Sequence, residues 1–271
     1  MPATKRAPKT QKPPEAEAPM RIAKAMARAG LCSRREAERW IAEGRVEVNG
    51  VKLTTPAHLV GPDDDVKVDG ASLPAAGPPR LWRYHKPKGL VTSTHDPEGR
   101  ATVFDALPPE LPRLVKIGRL DFTTEGLLLL TNHGGLARHL ELPSTGWLRR
   151  YRVRARGKID QTALDALKNG ITVDGVAYGP IEAKLDRTQG ANQWFTAALR
   201  EGKNREIKRV LAHLGLEVNR LIRLSYGPFA LGELKAGSVE EVRRTVLADQ
   251  LGARLSEEFG LKPRRQKRPA R

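Results

Sequence analysis

The sequence has little of what membrane, secreted and disulfide-stabilised proteins need. It contains one cysteine, Cys32, in 271 residues, which excludes an internal disulfide and a cysteine-rich zinc site. The longest uninterrupted apolar stretch is residues 127–130, far below the roughly 20 residues that span a bilayer. Residues 1–19 hold no apolar segment of the kind that directs secretion. We therefore expect a cytoplasmic protein with no membrane anchor.

Sequence motifs for common cofactors are also missing. The chain has no dinucleotide-binding glycine fingerprint, no phosphate-binding loop and no paired-histidine metal motif. Its histidines do not have the spacing of metal ligands. We therefore predict neither a metal nor another cofactor.

What the sequence has in excess is positive charge. Lysine and arginine number 48 against 31 aspartates and glutamates, which gives a formal net charge of +17. Such an excess favours a polyanion as partner, and nucleic acid is the first to consider. A hydrophobic content of 39% supports one or two globular domains in a chain of this length. The two ends, residues 1–19 and 259–271, are basic and poor in large apolar side chains, so we predict disordered tails there.

The first ordered region is predicted to be a helix pair followed by short strands. Helical periodicity begins at Arg21 and stops at Gly30. Ser33 and Glu36 have the capping-box spacing that begins a second helix. The Asn-Gly pair at residues 49–50, between two alternating apolar stretches, predicts a hairpin.

Basic side chains crowd this helix pair and the turn after it. They are Arg28, Arg34, Arg35, Arg39 and Arg45. A helix pair with this charge suits contact with a phosphate backbone, and the alternative is a charged face that contacts only water.

A resemblance to a known domain bears on these arginines. Residues 29–37 (AGLCSRREA) and 44–50 (GRVEVNG) resemble the small RNA-binding domain named after ribosomal protein S4. The resemblance covers residues 20–70, and the stretch rich in Ala, Pro and Gly at 71–80 is interpreted as a linker. It implies that four of the arginines contact RNA. Those four are Arg28, Arg34, Arg35 and Arg45.

The second region, residues 81–258, alternates strand-like and helix-like segments. Strands are predicted at 81–85, 126–131, 151–155 and 194–199, a hairpin at 171–178, and helices at 135–142, 161–168, 205–214 and 240–255. Hairpins mixed with helices indicate an α+β domain with a mixed, largely antiparallel sheet and flanking helices.

A polar turn before an apolar strand is the most informative segment. Residues 116–132 place several functional side chains, Asp121 among them, directly before four leucines. Gly118 and Gly126 permit tight turns on either side of it. A loop positioned by a rigid strand suits a site, although from composition alone Asp121 is more often a turn or capping residue.

Four segments, in order along the chain, resemble the motifs of the RsuA/RluB family of rRNA pseudouridine synthases. Residues 118–132 (GRLDFTTEGLLLLTN) are similar to its signature. The others are 86–89 (KPKG), 149–151 (RRY) and 201–209 (EGKNREIKR). The resemblance implies a pseudouridine synthase domain, an isomerase that converts uridine to pseudouridine. Because no atom enters or leaves in that reaction, no redox cofactor or metal is required.

The same resemblance implies a role for each of five side chains. Asp121 is the nucleophile that attacks the sugar, or alternatively the base that removes a sugar proton to give a glycal. Lys208 is its ion-pair partner, which offsets the cost of keeping a carboxylate charged in a pocket. Tyr151 stacks on the flipped uracil, and Leu221 borders it. Arg119 fills the gap left by the extruded base, or equally holds its flanking phosphates.

The target is expected to be ribosomal RNA, bound by a monomer. Residues 204–209 and 221–228 look most like the RluB branch of the family, whose target is the large ribosomal subunit, and this favours 23S rRNA. The alternatives are a sibling that acts on 16S rRNA and a non-catalytic ribosome-assembly factor that only binds RNA. A DNA-binding regulator is a third possibility, because the helices within residues 21–43 could enter a groove.

Overall fold

The computed structural model describes residues 18–261. The chain divides into two compact units, Met1–Gly77 and Pro78–Arg271. The predicted tail at residues 1–19 lies almost wholly outside the described residues, as does most of the tail at 259–271.

The first unit is a helix pair with short strands around one apolar cluster. Its elements are β1 (Met20–Arg21), α1 (Ile22–Arg28), α2 (Arg34–Ala42), β2 (Val46–Val48), β3 (Val51–Lys52), β4 (Leu59–Val60), β5 (Val66–Val68) and β6 (Ala71–Ser72). The capping box forms as predicted, because the Glu36 N–H donates to Ser33 Oγ at 3.1 Å and the Ser33 N–H to the Glu36 carboxylate at 3.4 Å. The hairpin also forms, since Asn49 and Gly50 both have positive φ and join β2 to β3.

The first unit extends beyond the predicted domain boundary at residue 70. Asp69 and Gly70 adopt left-handed φ values and turn the chain back, so that Ala71–Ser72 pairs antiparallel with Val66–Val68. The start of the segment expected to be a linker therefore belongs to a four-stranded sheet, of order β3-β2-β5-β6. The residues between Leu73 and Arg80 are in neither helix nor strand.

The second unit is built on a nine-stranded sheet. Its strands are β7 (Leu81–Lys86), β8 (Val115–Ile117), β9 (Glu125–Thr131), β10 (Arg149–Arg156), β13 (Ile181–Gln189), β14 (Asn192–Leu199), β15 (Glu217–Tyr226), β16 (Phe229–Ala230) and β17 (Val239–Glu241), and a separate hairpin pairs β11 (Ile171–Val173) with β12 (Val176–Tyr178). The main path runs β13-β14-β10-β15-β9-β7-β17, with β16 on β15 and β8 on β9. Every pairing is antiparallel except that of β15 with β9, which confirms the mixed, largely antiparallel sheet.

Helices and a long irregular segment cover this sheet. The helices are α3 (Gly134–Glu141), α4 (Gln161–Ala166), α5 (Glu206–His213) and α6 (Arg244–Glu258), with short 3-10 turns at Pro143–Thr145 and Leu167–Asn169. One apolar cluster joins α4 and α5 to β10, β13, β14 and β15. A second joins α3 and α6 to one side of β9 through Leu127 and Leu129. A third packs the opposite side of β9, through Leu128 and Leu130, against residues between 90 and 120. The four leucines are continuous in sequence because β9 is buried on both faces.

The predicted helix at 240–255 is wrong at its start. Val239–Glu241 is a strand, because it pairs with the otherwise free edge of β7, where Val239 lies opposite Tyr84. An ion pair between Arg80 and Glu241 holds the same edge. The helix begins only at Arg244 and is interrupted at Gly252, where φ is 76°.

The predicted tail at 259–271 also begins too early. Leu261 is fully buried, and Phe259 packs against the cluster formed by α3 and α6. The ring of Phe259 lies edge-on to His133, with 5.4 Å between centroids. Apolar burial therefore extends the second unit to the last described residue.

Candidate active site

The turn that carries Asp121 is fixed by hydrogen bonds from several directions. The Thr124 N–H donates to the Asp121 carbonyl at 3.0 Å, which closes the turn. The Gly89 N–H donates to the Phe122 carbonyl at 2.9 Å, and the Thr92 hydroxyl donates to the Leu120 carbonyl at 2.6 Å. The backbone on both sides of Asp121 is therefore held while its carboxylate stays accessible.

Lys86, the last residue of β7, is fully buried and stabilises this turn through its side chain. Its ammonium donates to the carbonyls of Pro87 at 2.9 Å, Asp121 at 3.2 Å and Thr124 at 3.0 Å. Burial lowers the pKa of Lys86 to about 8, and the nearby Asp121 carboxylate acts in the opposite direction. The family motif includes this lysine, but sequence reasoning gave it no role.

Asp121 and Lys208 come together although 87 positions apart in numbering. Lys208 Nζ lies 3.6 Å from Asp121 Oδ2 and donates to the Thr123 hydroxyl at 2.6 Å. The side chain of Lys208 is 13% exposed and that of Asp121 is 32% exposed. Burial lowers the pKa of Lys208, and the Asp121 carboxylate opposes that shift. Helix α5 fixes the lysine, because Ile207, Val210 and Leu211 anchor the adjacent stripe in the core.

Tyr151 and Leu221 face the same space from neighbouring strands. Tyr151 lies on β10 and packs against the cluster under α5 and also against the one under residues 90–120. Leu221 lies on β15, opposite Val153, and is buried. Together with Asp121, Lys208 and Arg119, they line one cleft of about 500 Å³. This volume lies in the range of small-molecule sites and suits one flipped nucleotide.

Arg119 is exposed, at the edge of that cleft. Its backbone is tied to β15, because Arg223 Nη1 approaches the Arg119 carbonyl at 3.4 Å. The structure therefore brings all five predicted cleft residues to one place, with Arg119 the most accessible of them.

Besides Lys208 and Arg119, the cleft holds a further cation that the sequence did not indicate, Arg223. It is 2% exposed, donates from Nε to the Leu127 carbonyl at 2.7 Å, and lies opposite Tyr151 in the β10–β15 register. Its Nη2 is buried and has no hydrogen-bond partner among residues 18–261. No pattern in the neighbouring sequence distinguishes a buried arginine of this kind from a solvent-exposed arginine on a strand.

Arg149 and Tyr226 form a further fixed pair in the cleft. Arg149 Nη2 donates to the Tyr226 hydroxyl at 3.1 Å, and its guanidinium lies 4.7 Å from the Tyr226 ring centroid. Arg149 Nη1 also donates to the carbonyls of Arg200 and Glu201. The Tyr226 hydroxyl in turn donates to the Leu140 carbonyl at 2.9 Å. This arginine of the RRY motif is therefore a rigid part of the cleft wall.

Glu206 adds a buried carboxyl group to the lining of the cleft. It is 4% exposed, and one of its oxygens accepts the Lys203 N–H at 2.9 Å. The other oxygen has no hydrogen-bond partner within the described part of the chain. Burial raises the pKa of Glu206, and so favours its neutral form more than in water.

The four predicted RNA-binding arginines of the first unit differ in their burial and in their contacts with other side chains. Arg45 pairs with Asp69 at 2.6 Å and stacks on Trp40, with 4.6 Å to the ring centroid. Arg28 is half-buried, whereas Arg34 and Arg35 are exposed in the first turn of α2. The latter two are therefore the most accessible of the four predicted RNA contacts in this unit.

Residues 18–261 contain no group of three or more His, Cys, Asp or Glu side chains placed to hold a metal ion. Within the same residues, no helix has both the length and the apolar character needed to cross a membrane.

Family models match both units. Residues 20–66 match the S4 domain, and residues 80–213 match the RNA pseudouridylate synthase family. An uncharacterized RNA pseudouridine synthase of Rickettsia felis is 47% identical over 84% of this chain and 98% of its own length. The ribosomal large subunit pseudouridine synthase B of Pseudomonas aeruginosa is 40% identical over 90% of this chain and 63% of its own. The ribosomal large subunit pseudouridine synthase B of Pasteurella multocida is 41% identical over 83% of this chain and 67% of its own length.

A solved structure agrees with these matches. A crystal structure of a pseudouridylate synthase superposes with a TM-score of 0.58 and 25% identity, over 83% of this chain and 97% of that one. The chain therefore belongs to the RNA pseudouridine synthases, of the RsuA/RluB type, with an S4 domain before the synthase domain. It is an isomerase, as the sequence motifs predict.

Proposed function

We propose that this enzyme isomerises a specific uridine of large-subunit (23S) rRNA and that the Asp121 carboxylate attacks the sugar of that uridine. The observation that carries the proposal is the Asp121–Lys208 pair, at 3.6 Å, in a cleft shared with Tyr151 and Leu221. The choice of the large subunit is supported by the names of the relatives from Pseudomonas aeruginosa and Pasteurella multocida.

The reaction requires an ionised carboxylate that does not itself change between start and end. The bond between the uracil nitrogen and the ribose breaks, the uracil rotates, and one of its carbons joins the same sugar carbon. The uracil carbon that forms the new bond loses a proton, and the nitrogen that was bonded to the ribose gains one, so the atoms balance with no cofactor. Asp121 serves as nucleophile, and removal of a sugar proton to give a glycal is the alternative role for the same group.

Two lysines near Asp121 place positive charge close to its carboxylate. Lys208 is mostly buried, so its attraction for the carboxylate is less screened than that of a surface lysine. The buried ammonium of Lys86 adds positive charge beneath the turn and fixes the Asp121 carbonyl. Both cations are already in place before the substrate binds, and this preorganisation favours developing negative charge.

The remaining cleft residues orient the base. In this proposal the Tyr151 ring stacks on the extruded uracil, and Leu221 borders it from the next strand. Arg119, exposed at the edge, fills the gap in the RNA stack or holds the adjacent phosphates. Arg34 and Arg35 of the S4 domain contact the RNA backbone elsewhere. We infer that the enzyme acts as a monomer in the cytoplasm.

The experiment is an assay of pseudouridine formation with Asp121→Asn and, as a matched control, the exposed Asp249→Asn of α6. The expected result is loss of activity by about 10⁴-fold or more with RNA binding retained in Asp121→Asn, and no change in the control. Unchanged product with Asp121→Asn would make the catalytic assignment wrong. Mapping pseudouridines in 23S and 16S rRNA, in cells with and without the gene, decides between the two rRNA targets.

A further inference from the structure

A second set of cations lies on the face of the sheet that is opposite to the cleft. Successive side chains of a strand point to opposite faces. Tyr151 lines the cleft, and Val153 and Ala155 belong to the apolar cluster under α5. Arg150, Arg152 and Arg154 must therefore project from the other face of β10.

Other strands of the sheet carry further basic residues on the same face. In one row, Arg154 lies between Arg220 of β15 and Trp194 of β14, and Trp194 pairs with Arg187 of β13. In the next row, Arg152 pairs with Thr196, which pairs with Lys184. We call five of these side chains the back-face patch. They are Arg150, Arg152, Arg154, Lys184 and Arg187.

Trp194 organises the patch. Three guanidinium groups lie over its ring, at 5.2 Å for Arg152, 5.7 Å for Arg154 and 5.7 Å for Arg187. The tryptophan is 8% exposed, yet it belongs to none of the four apolar clusters of residues 18–261. The arginine side chains therefore bury it and are themselves held in place by cation–π attraction.

The fold does not neutralise this charge. None of the five patch residues forms an ion pair with a carboxylate of the described part of the chain, and Arg154 donates instead to the Asn219 side chain at 2.7 Å. Two acids lie on β13 beside the patch. Asp186 accepts a hydrogen bond from Thr196, and Glu182 shares the row of Ala198 and Arg150 but forms no ion pair with a patch residue of the described chain. Cation–π contacts with Trp194 account for the positions of Arg152, Arg154 and Arg187 but leave their positive charge without a counter-charge, which favours a polyanion as partner.

We propose that the back-face patch binds the phosphate backbone of RNA. It spans about 13 Å along β10 and about 10 Å across the three strands β10, β14 and β13, enough for a short stretch of backbone. Arginine guanidinium groups held in fixed positions suit phosphate oxygens, to which they donate in pairs. Because the patch and the cleft lie on opposite faces, a short hairpin seated in the cleft does not reach the patch, whereas a large folded RNA can contact both.

This inference rests on the proposed function, in which the substrate is folded rRNA, and adds a second contact surface for it. The predicted consequence is a distinction between RNA sizes. The patch increases affinity for long rRNA and its dependence on salt, and leaves the reaction on a minimal hairpin unchanged.

The experiment compares three triple variants. The first, Arg150→Gln/Arg152→Gln/Arg187→Gln, removes patch charge, and the second replaces the same three arginines with lysine. The third, Arg138→Gln/Lys235→Gln/Arg254→Gln, removes equal charge from exposed positions elsewhere in the second unit. Thermal unfolding midpoints establish that all three fold. The probes are a full-length 23S rRNA transcript and a short hairpin that contains the modified uridine.

For the glutamine patch variant we expect roughly tenfold weaker binding to the long transcript and a salt slope smaller by about 2. The lysine variant and the control should keep the wild-type slope, and all should modify the hairpin with wild-type kcat and KM. Equal affinity and slope in the patch variant and the control would overturn the inference, as would a lowered kcat on the hairpin. If wild-type protein forms no pseudouridine in either RNA, the proposed function fails, and the binding slopes still decide whether the patch contacts RNA.

Discussion

Arginines lie on both faces of β10, but Arg149 on one face is hydrogen-bonded to protein atoms, whereas Arg150 and Arg152 on the other face are exposed to solvent. On the cleft face, Arg149 is tied to the Glu201 carbonyl and the Tyr226 hydroxyl. On the other face, Arg150 and Arg152 are exposed and have no carboxylate partner among the described residues. A cation whose N–H donors are bound to protein oxygens shapes a site, and we call it a fixed cation. One whose donors face solvent attracts a polyanion, and we call it a free cation even where its guanidinium stacks on Trp194. Substituting a fixed cation should therefore alter kcat or stability, and substituting a free one should alter affinity and its salt dependence.

Replacing Lys208 should give the largest effect among the fixed cations. Lys208→Met leaves the partly buried Asp121 carboxylate without its cation, so we expect kcat to fall by about 10²-fold or more. Lys208→Arg keeps the charge and should lose about tenfold or less. Single-turnover kinetics on the target hairpin measure both. Equal losses for the two variants would indicate that the charge of Lys208 does not matter.

Lys86→Met tests whether a fixed cation can act without touching the substrate. The change removes the ammonium donor from the carbonyls of Pro87, Asp121 and Thr124, of which Asp121 keeps the Thr124 N–H, so we expect the free energy of unfolding to fall by roughly 2–4 kcal/mol. The turn should also lose its fixed geometry, with kcat lower by about tenfold and KM little changed. Urea unfolding and steady-state kinetics measure the two effects. Lys88→Met, at a more exposed lysine two residues later, is the control and should leave stability within about 0.5 kcal/mol.

The pKa of Lys86 predicts opposite responses of activity and stability to alkaline pH. Burial lowers that pKa to about 8 from its ordinary value of 10.5. Between these values the unfolded chain binds more protons than the folded one, so the contribution of Lys86 to stability increases with pH. Activity should instead decline through about pH 8, because the deprotonated amine loses its charge and one donor.

Profiles of kcat and of urea unfolding across the alkaline range, for wild type and Lys86→Met, separate these effects. The variant should lack both trends that Lys86 produces. A decline of stability through that pKa in wild type that is absent from the variant would contradict the prediction.

The free cations of the S4 domain should give the smallest effect. Arg34→Gln/Arg35→Gln removes two exposed charges, so we expect KM to rise about three- to tenfold and the salt slope to fall by about 1–2. The value of kcat should not change. Lys52→Gln, on the hairpin of the same unit, is the control. A fall in kcat with unchanged KM would show that these arginines are not simple backbone contacts.

Local signals in the sequence predicted part of the fold. The capping box at Ser33 and the hairpin at Asn49 depend on neighbouring residues alone, and both form as expected. The leucines of β9 were predicted to form a buried strand because burial on both faces leaves a continuous apolar run. In contrast, β13 and β15 alternate with charged residues and were not predicted, since only their partners in the sheet make them strands.

The candidate site shows the same limit. Asp121 and Lys208 could be named because their motifs resemble those of a family, and the structure brings them within 3.6 Å. The sequence indicates no role for Lys86 or Arg223, although both are buried and donate to carbonyls of the turn that carries Asp121. Burial of a cation depends on tertiary carbonyl acceptors, and no pattern along the chain reveals those.

Gly126 has a consequence for how this enzyme can change during evolution. A Cβ at this position would lie 2.3 Å from the Arg223 carbonyl oxygen, at the parallel contact between β9 and β15. That contact joins the two halves of the sheet, β13-β14-β10-β15 and β9-β7-β17. Asp121 lies shortly before β9 of the second half, whereas Lys208 lies on α5, which packs against the first half. The two halves also share an apolar cluster, because Tyr226 and Phe229 of one half pack with Leu127 and Leu129 of the other. A single methyl group there would widen the gap between Asp121 and Lys208, so Gly126 limits divergence more strictly than many residues that line the cleft.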